Sequence, residues 1–226
     1  MEARWMGRVE YGDGLRRQEE AVARLRAAEG DEQLFLLEHP HVFTLGRGAE
    51  SANILATPEQ LAEKAIEVFE TGRGGDVTYH GPGQLVGYPI MNLRPDRMDV
   101  HRYVRDIEEV LIRTIADFGI RGGRIKGLTG VWVGNEKIAA IGVRIARWIT
   151  SHGFALNVNT DLDYFRMIVP CGITDKGVTT ISRIVGEEIA LEAVASSVAA
   201  HFADVFEREV RYTGPQVLHH FTNRSG

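Results

Sequence analysis

Cysteine occurs once in this chain, at Cys171, so no internal disulfide can form and a disulfide-stapled secreted scaffold is excluded. No run of 18 apolar residues is present, so nothing reads as a transmembrane helix. The first residues, Met1-Glu-Ala-Arg-Trp5, lack an apolar stretch and a small-residue cleavage site, and a secretory signal is not expected. Thr222-Asn-Arg-Ser-Gly226 matches no lipidation signal. Positive charge is short too: 26 Lys and Arg against 31 Asp and Glu leave a net −5, the opposite of a chain built to coat nucleic acid. An anionic partner would have to meet a local basic patch. Internal repeats and low-complexity tracts are absent. The expectation is a cytoplasmic protein with a reduced thiol and with no nucleic-acid or membrane partner.

What remains is globular. The 226 residues are 44% hydrophobic and 25% charged, near the average for folded domains. A chain of this length buries roughly 70% of the surface it exposes when unfolded, enough to hold without disulfides or metals. One domain over residues 1–226 is expected.

Helix-like and strand-like segments alternate. Leu15 to Glu29 predicts a helix stopped by Gly30. Gln33 to Glu38 is a short apolar strand. Thr57-Pro58-Glu59-Gln60 combines a capping threonine, proline at the first helical position and a glutamine three residues after the cap. Ile66 to Glu70 alternates like a strand. Residues 71–84, with five glycines and one proline, read as loop. Leu85 to Asn92 is strand-like, with Pro89 pointing to an edge or a bulge. Val100 to Phe118 and Ala190 to Phe206 carry apolar faces at helical spacing. Val131 to Val133 and Lys137 to Ile145 flank Gly134-Asn135-Glu136 as a hairpin, Trp148 to Val158 adds a third strand, and Arg208 to Tyr212 could close the sheet. Consecutive strands without intervening helices predict an α+β fold: a mixed, largely antiparallel sheet flanked by helices.

Three places could carry chemistry. Cys171 sits between Pro170 and Gly172, after a short helical stretch at 161–166, where a sulfur can stand at a pocket edge instead of inside an apolar run. A lone cysteine is more often a buried, inert thiol, and the flanking Pro170 and Gly172 are what point away from that reading. A nearby cation would lower its pKa and make the thiolate a nucleophile. The loop from Arg73 to Gln84 mixes Arg, Asp, Thr, Tyr, His and Gln among glycines that let backbone N–H groups approach a ligand. It has neither the P-loop nor the dinucleotide-binding order. Lys137 reads on its own as a water-exposed hairpin lysine. The strand after it, Ile138-Ala-Ala-Ile-Gly142, has small residues against which a ligand chain could lie, and Ser151-His-Gly-Phe-Ala155 repeats the theme. A zinc site is not expected, because His39 and His41 are two apart and no second cysteine exists.

Glu38-His-Pro-His-Val-Phe-Thr-Leu-Gly-Arg47, Arg73 to Gln84, Gly130 to Gly142, His152 to Asn157 and Pro170-Cys-Gly-Ile-Thr174 together resemble the lipoyl/octanoyl transferase family. That family belongs with lipoate ligases and biotin protein ligases. The resemblance spans nearly the whole chain and implies a biotin/lipoate protein ligase-like fold. It implies transfer of an octanoyl or lipoyl group from acyl carrier protein to one lysine of a lipoyl domain. Cys171 would form the acyl-thioester and Lys137 would be its catalytic partner. The acyl-substrate contacts would be Arg73, Gly74, Gly75, Asp76, Val77, Thr78, Tyr79, His80, Ala140, Ile141, Gly142, Gly153, Phe154 and Ala155. The acyl group would arrive on the phosphopantetheine of the carrier, with no ATP or metal. The acceptors would be lipoyl domains of 2-oxoacid dehydrogenase E2 subunits and the glycine cleavage H protein.

Thioester exchange is close to thermoneutral and amide formation runs downhill, so this chemistry needs no nucleotide. Burying most of an eight-carbon tail contributes roughly 5 kcal/mol at about 0.8 kcal/mol per methylene. Oxyanion donors could be backbone N–H groups near Gly142 or Cys171, or the His80 side chain, which could instead only brace its loop. Docking of an acidic carrier would use Arg144, Arg147, Arg166, Lys176 or Arg183. The rival readings are an ATP-dependent lipoate ligase, a thiol hydrolase pairing Cys171 with His80 or His152, and a binding module without turnover.

Overall fold

The structure is a computed structural model and describes residues 1–169 and 176–215. In chain order the elements are β1 (Glu2–Arg8), α1 (Tyr11–Arg26), β2 (Gln33–Glu38), β3 (Val42–Leu45), α2 (Pro58–Glu63), β4 (Glu67–Glu70), β5 (Val77–His80), β6 (Gln84–Ile90) and α3 (Val100–Ala116). They continue with β7 (Gly123–Ile125), β8 (Leu128–Val133), β9 (Glu136–Ala146), β10 (Ile149–Asn157), β11 (Gly177–Val178), α4 (Ile181–Val185), α5 (Leu191–Phe206) and β12 (Arg211–Thr213). Among the described residues the larger sheet runs β12-β1-β2-β6-β10-β9-β8-β7, with β11 added to β9, and a smaller sheet runs β4-β3-β5. From β2 to β7 each neighbour is antiparallel; β1 is parallel to both β12 and β2.

Strand alternation sorts the core onto two faces of the larger sheet. Leu34, Leu36, Leu85 and Leu156 pack with Leu111 and Ile115 of α3 and with Val194 and Phe202 of α5. Their neighbours Phe35, Leu37, Val86, Tyr88 and Ala155 point the other way, toward Ala21, Val22 and Leu25 of α1. The period-2 pattern of buried strands thus explains why helices cover both sides. The smaller sheet has its own core, in which Phe43, Ile66 and Tyr79 meet Ile168 and the ring of Phe165. Caps fix the helix starts: Thr57 and Gln60 form a capping box on α2, and the Asp99 carboxylate accepts the Arg102 N–H on α3.

The expected mixed sheet, the two long helices and the 134–136 hairpin are present. Three expectations need correction. Residues 71–84 are not all loop, because Val77–His80 pairs with β3 as β5. The first helix begins at Tyr11, four residues before Leu15, because Glu10 to Gly14 already closes a helical turn. Pro89 lies in an internal strand: β6 pairs with β2 through Leu34, while its ladder with β10 ends at Gly87. There Thr150 replaces the ladder, its hydroxyl donating to the Pro89 carbonyl at 2.7 Å and accepting the Met91 N–H at 2.8 Å. β1, β3 and β7 were not anticipated; each is short or lacks clean alternation.

Glycines allow β6 and β10 to come together. A Cβ at Gly87 would collide with the Phe154 ring, and one at Gly153 with the Gly87 carbonyl. Gly153→Ala is therefore expected to destabilise the fold by about 1–3 kcal/mol through overpacking. Gly12→Ala, with nothing within 4 Å of its Cβ on α1, is expected to be neutral or stabilising. Thermal unfolding followed by circular dichroism checks both, and equal midpoints for the two variants would contradict this packing.

Candidate active site

A cavity of about 510 Å³ opens where the glycine-rich loop covers the β9–β10 pair. That volume suits one small ligand. Its walls are residues 73–78, His80, Lys137, the run 140–143 of β9, the run 152–155 of β10 and residues 176–178.

Lys137 is held on both edges. Trp132 of β8 is its cross-strand partner, Val178 of β11 pairs on the other edge, and the Thr179 N–H donates to the Lys137 carbonyl at 3.0 Å. The aliphatic stem lies over Gly130, with Cε 3.5 Å from where a Cβ would stand there. The φ of Gly130 is +123°, a conformation side chains avoid, and its N–H donates to the buried Glu108 carboxylate at 3.0 Å. The ammonium sits 4.8 Å from the centre of the Trp132 ring, a cation–π contact. Lys137 is thus a half-buried wall of the cavity, not a hairpin lysine in open water.

Arg73 is buried and fixes the loop to β3 of the smaller sheet. Its guanidinium donates to the Thr44 carbonyl at 2.6 Å, to the Thr44 hydroxyl at 2.8 Å and to the Gly74 carbonyl at 3.1 Å. The Gly74 N–H donates to the Val143 carbonyl at 3.0 Å, tying the loop to β9. On the other side the Arg47 N–H donates to the Arg73 carbonyl and the Gly48 N–H to the Gly75 carbonyl. Gly46 has no room for a Cβ beneath Gly75, and at Gly142 a Cβ would stand 3.1 Å from the Arg73 side chain. Asp76 closes the loop by accepting the Val77 N–H at 2.7 Å and the Asn53 amide at 2.9 Å.

Neutral imidazoles stand at the far wall, where His80 lines the cavity, and behind it, where His39 is fully buried. The His39 Nδ1–H donates to the Val9 carbonyl at 2.6 Å, and Nε2 accepts from the Tyr88 hydroxyl at 2.8 Å. Burial pushes its pKa down to about 4. The His80 Nδ1–H donates to Gln84 Oε1 at 2.8 Å, and the Gln84 amide donates on to Asn157, whose own amide donates to the Thr179 carbonyl. Burial, then the nearby His39 and Arg73, pushes His80 down to about 3. His80 therefore braces its turn, and its committed N–H leaves a lone pair on Nε2, not an oxyanion donor, for the cavity. Tyr11 stacks against His80 with centroids 6.1 Å apart, and burial raises its hydroxyl to about 12.

Of the residues expected at the site, segments 73–78, 140–142 and 153–155 come together with His80 and Lys137. Tyr79 faces the smaller sheet instead, bonded to His41 Nδ1 at 2.8 Å and stacked on Tyr164. Cys171 lies outside the described residues. Phe165 before it and Lys176 after it both line the cavity. The five candidate docking cations separate: Lys176 and Arg183 stand at the Glu136–Lys137 end, Arg183 being 3.6 Å from Glu136. Arg144 and Arg147 lie seven and ten residues beyond Lys137 in sequence, and Arg166 pairs with Asp163. Sequence reasoning missed Tyr11, Tyr88 and Trp132, which only the folded chain brings to this wall, and Thr44, which holds Arg73 from behind it. Among the described residues no group of three or more His, Cys, Asp or Glu is placed to hold a metal, and no helix is long and apolar enough to cross a membrane.

Residues 10–203 match the lipoyl protein ligase A/B catalytic domain family. The chain is 52% identical over 207 residues to an octanoyltransferase from Solibacter usitatus, covering 92% of this chain and 93% of that one. Among solved structures, lipoate-protein ligase A bound with ATP superposes with a TM-score of 0.74 at 18% identity, covering 96% of this chain and 90% of that one. Biotin protein ligase from Aquifex aeolicus superposes with a TM-score of 0.56 at 13% identity, covering 91% and 70%. Those two likenesses establish the fold, a mixed sheet with flanking helices of the lipoate and biotin protein ligase type.

The imidazoles give a pH signature. Burial holds His39 at about 4, well below the ordinary value near 6.5, so between about pH 6.5 and 4 the unfolded chain binds a proton that the folded chain refuses. Stability from this group is complete above about pH 6.5 and falls by roughly 3 kcal/mol as the pH drops toward 4. Urea midpoints measured from pH 7.5 to 4.5 should fall, and His39→Gln should flatten the fall while lowering the plateau. Parallel profiles for the two proteins would contradict the assignment.

Proposed function

The chain belongs to the lipoyl protein ligase A/B catalytic domain family, and from that premise we propose that it is an octanoyltransferase acting on lipoyl domains. The observation that carries this reading is the cavity that runs from Lys137 along Ala140, Ile141, Phe154 and Ala155. An apolar slot beginning at an ammonium fits an acyl chain whose reactive carbonyl stays beside the lysine.

The donor is octanoyl-acyl carrier protein, and the acceptors are lipoyl domains of 2-oxoacid dehydrogenase E2 subunits and the glycine cleavage H protein. In the first step the Cys171 thiolate attacks the donor carbonyl. A new sulfur–carbon bond forms, the carrier's sulfur–carbon bond breaks, and the carrier leaves as a thiol that takes the proton of the Lys137 ammonium, leaving that lysine neutral. The Lys137 ammonium stabilises the attacking thiolate. In the second step the acceptor lysine amine attacks the Cys171 thioester, the carbon–nitrogen bond forms and the Cys171 thiolate departs. The surplus amine proton passes to Lys137 in its neutral form, which requires a lysine pKa brought down toward working pH. The Trp132 ring face opposes that fall by favouring the cation, and desolvation on acyl binding favours it. No ATP and no metal enter the reaction. Lys176 and Arg183, at the Lys137 end, are the cations best placed to meet an acidic carrier. The protein works in the cytoplasm.

Transfer from octanoyl-carrier protein to a lipoyl domain, assayed without ATP, is expected to proceed with the natural chain. Cys171→Ala should abolish it. Lys137→Arg keeps a cation but no usable base and should lower it by about 10²- to 10⁴-fold. Full transfer by Lys137→Arg would remove the general-base role. Activity only with ATP and free octanoate would make the protein a ligase, and release of free octanoate faster than transfer would make it a hydrolase.

A further inference from the structure

His152 stands at the opposite end of the cavity wall from Lys137. It pairs with Val143, six residues along β9 from the lysine, and both line the cavity. The wall between them is apolar, but His152 is not. The residue is 6% exposed, and neither ring nitrogen has a hydrogen-bond partner among the described residues. Neither nitrogen is sealed off by protein atoms. A ring so buried, unpartnered and open to a cavity is aimed at whatever fills it.

The backbone supports the same conclusion. His152 has φ +56°, a conformation that side-chain-bearing residues seldom adopt, and Gln18 of α1 holds it there by accepting its N–H at 2.7 Å. The Tyr88 ring stands across it at 87°, centroids 6.4 Å apart. Burial first, then Arg73 and Arg144, push its pKa down to about 4. At neutral pH the ring therefore offers one donor and one acceptor, next to the lone pair of His80.

We propose that His152 is a specificity-determining residue, a polar stop that reads the far terminus of the acyl chain. An apolar terminus pushed against the imidazole takes water from it and returns no hydrogen bond. A terminus carrying a hydroxyl satisfies the ring. This proposal rests on the acyl-transfer reading above. Acyl chains long enough to reach His152 should be accepted when they end in a hydroxyl and rejected when a methyl takes its place.

The test compares ω-hydroxyacyl-carrier proteins with their isosteric methyl-ended counterparts, from eight to twelve chain atoms, alongside octanoyl-carrier protein. For the natural chain the ratio of kcat/KM, hydroxyl over methyl, should rise with length to about tenfold, the worth of one well-made hydrogen bond. His152→Gly keeps the positive φ without strain and should erase the ratio. His152→Asn also tolerates that φ, keeps a hydrogen-bonding group and should retain part of it. A hydroxyl penalty of the same size at every length, in the natural chain and in His152→Gly alike, would overturn the polar stop while octanoyl transfer stands. Absence of octanoyl transfer by the natural chain would instead remove the functional reading, and this inference with it.

Discussion

The site depends on a buried guanidinium. Taking a charge out of water is expensive, and Arg73 offsets that cost by giving its protons to the carbonyl and hydroxyl of Thr44 and the carbonyl of Gly74. Those bonds pin the glycine-rich loop to β3, and the Gly74 N–H pins it to β9. The clamp adds to the other ties between the two sheets, such as the Gln84 amide of β6 donating to the Tyr79 carbonyl of β5. Gly46 and Gly142 are required by the same clamp, because a side chain at either would meet the loop or the arginine.

The clamp also sets the electrostatics of the cavity. Burial first, with the fixed Arg73 cation adding to it, keeps His80 and His152 neutral. The two imidazoles therefore present hydrogen-bonding groups without a charge at neutral pH, which suits an uncharged acyl chain. A second cation stands at the other end, where Lys137 is set between β8 and β11 above Gly130. Glu108 serves that end indirectly. Its carboxylate is paired to Arg105 and Arg124 and accepts the Gly130 N–H, holding in place the glycine on which the lysine stem rests.

Much of the fold was legible in the sequence where periodicity was long. Val100 to Phe118 and Ala190 to Phe206 span many helical turns, so their faces stood out. The β8–β9 hairpin was marked by Gly134-Asn135. β5 was not legible, because its four residues lie among glycines whose conformations only the docked loop decides. Pro89 was misread as an edge or bulge signal because a threonine hydroxyl from β10 stands in for the missing ladder. At the site, the motifs located the loop, Lys137 and the small residues of β9 and β10. They did not reveal that Thr44 binds Arg73, that Tyr79 faces away, or that His152 has an unpartnered ring. Each of those facts depends on residues distant in sequence.

The acyl-transfer reading requires that the acyl group pass through Cys171 on its way to the acceptor lysine. The most direct measurement mixes the protein with octanoyl-acyl carrier protein, without ATP or acceptor, and records the intact mass under mildly acidic conditions. The account predicts a gain of one octanoyl group, mapped to Cys171 and discharged on addition of a lipoyl domain. An unmodified mass, with transfer appearing only when ATP and free octanoate are supplied, would contradict it.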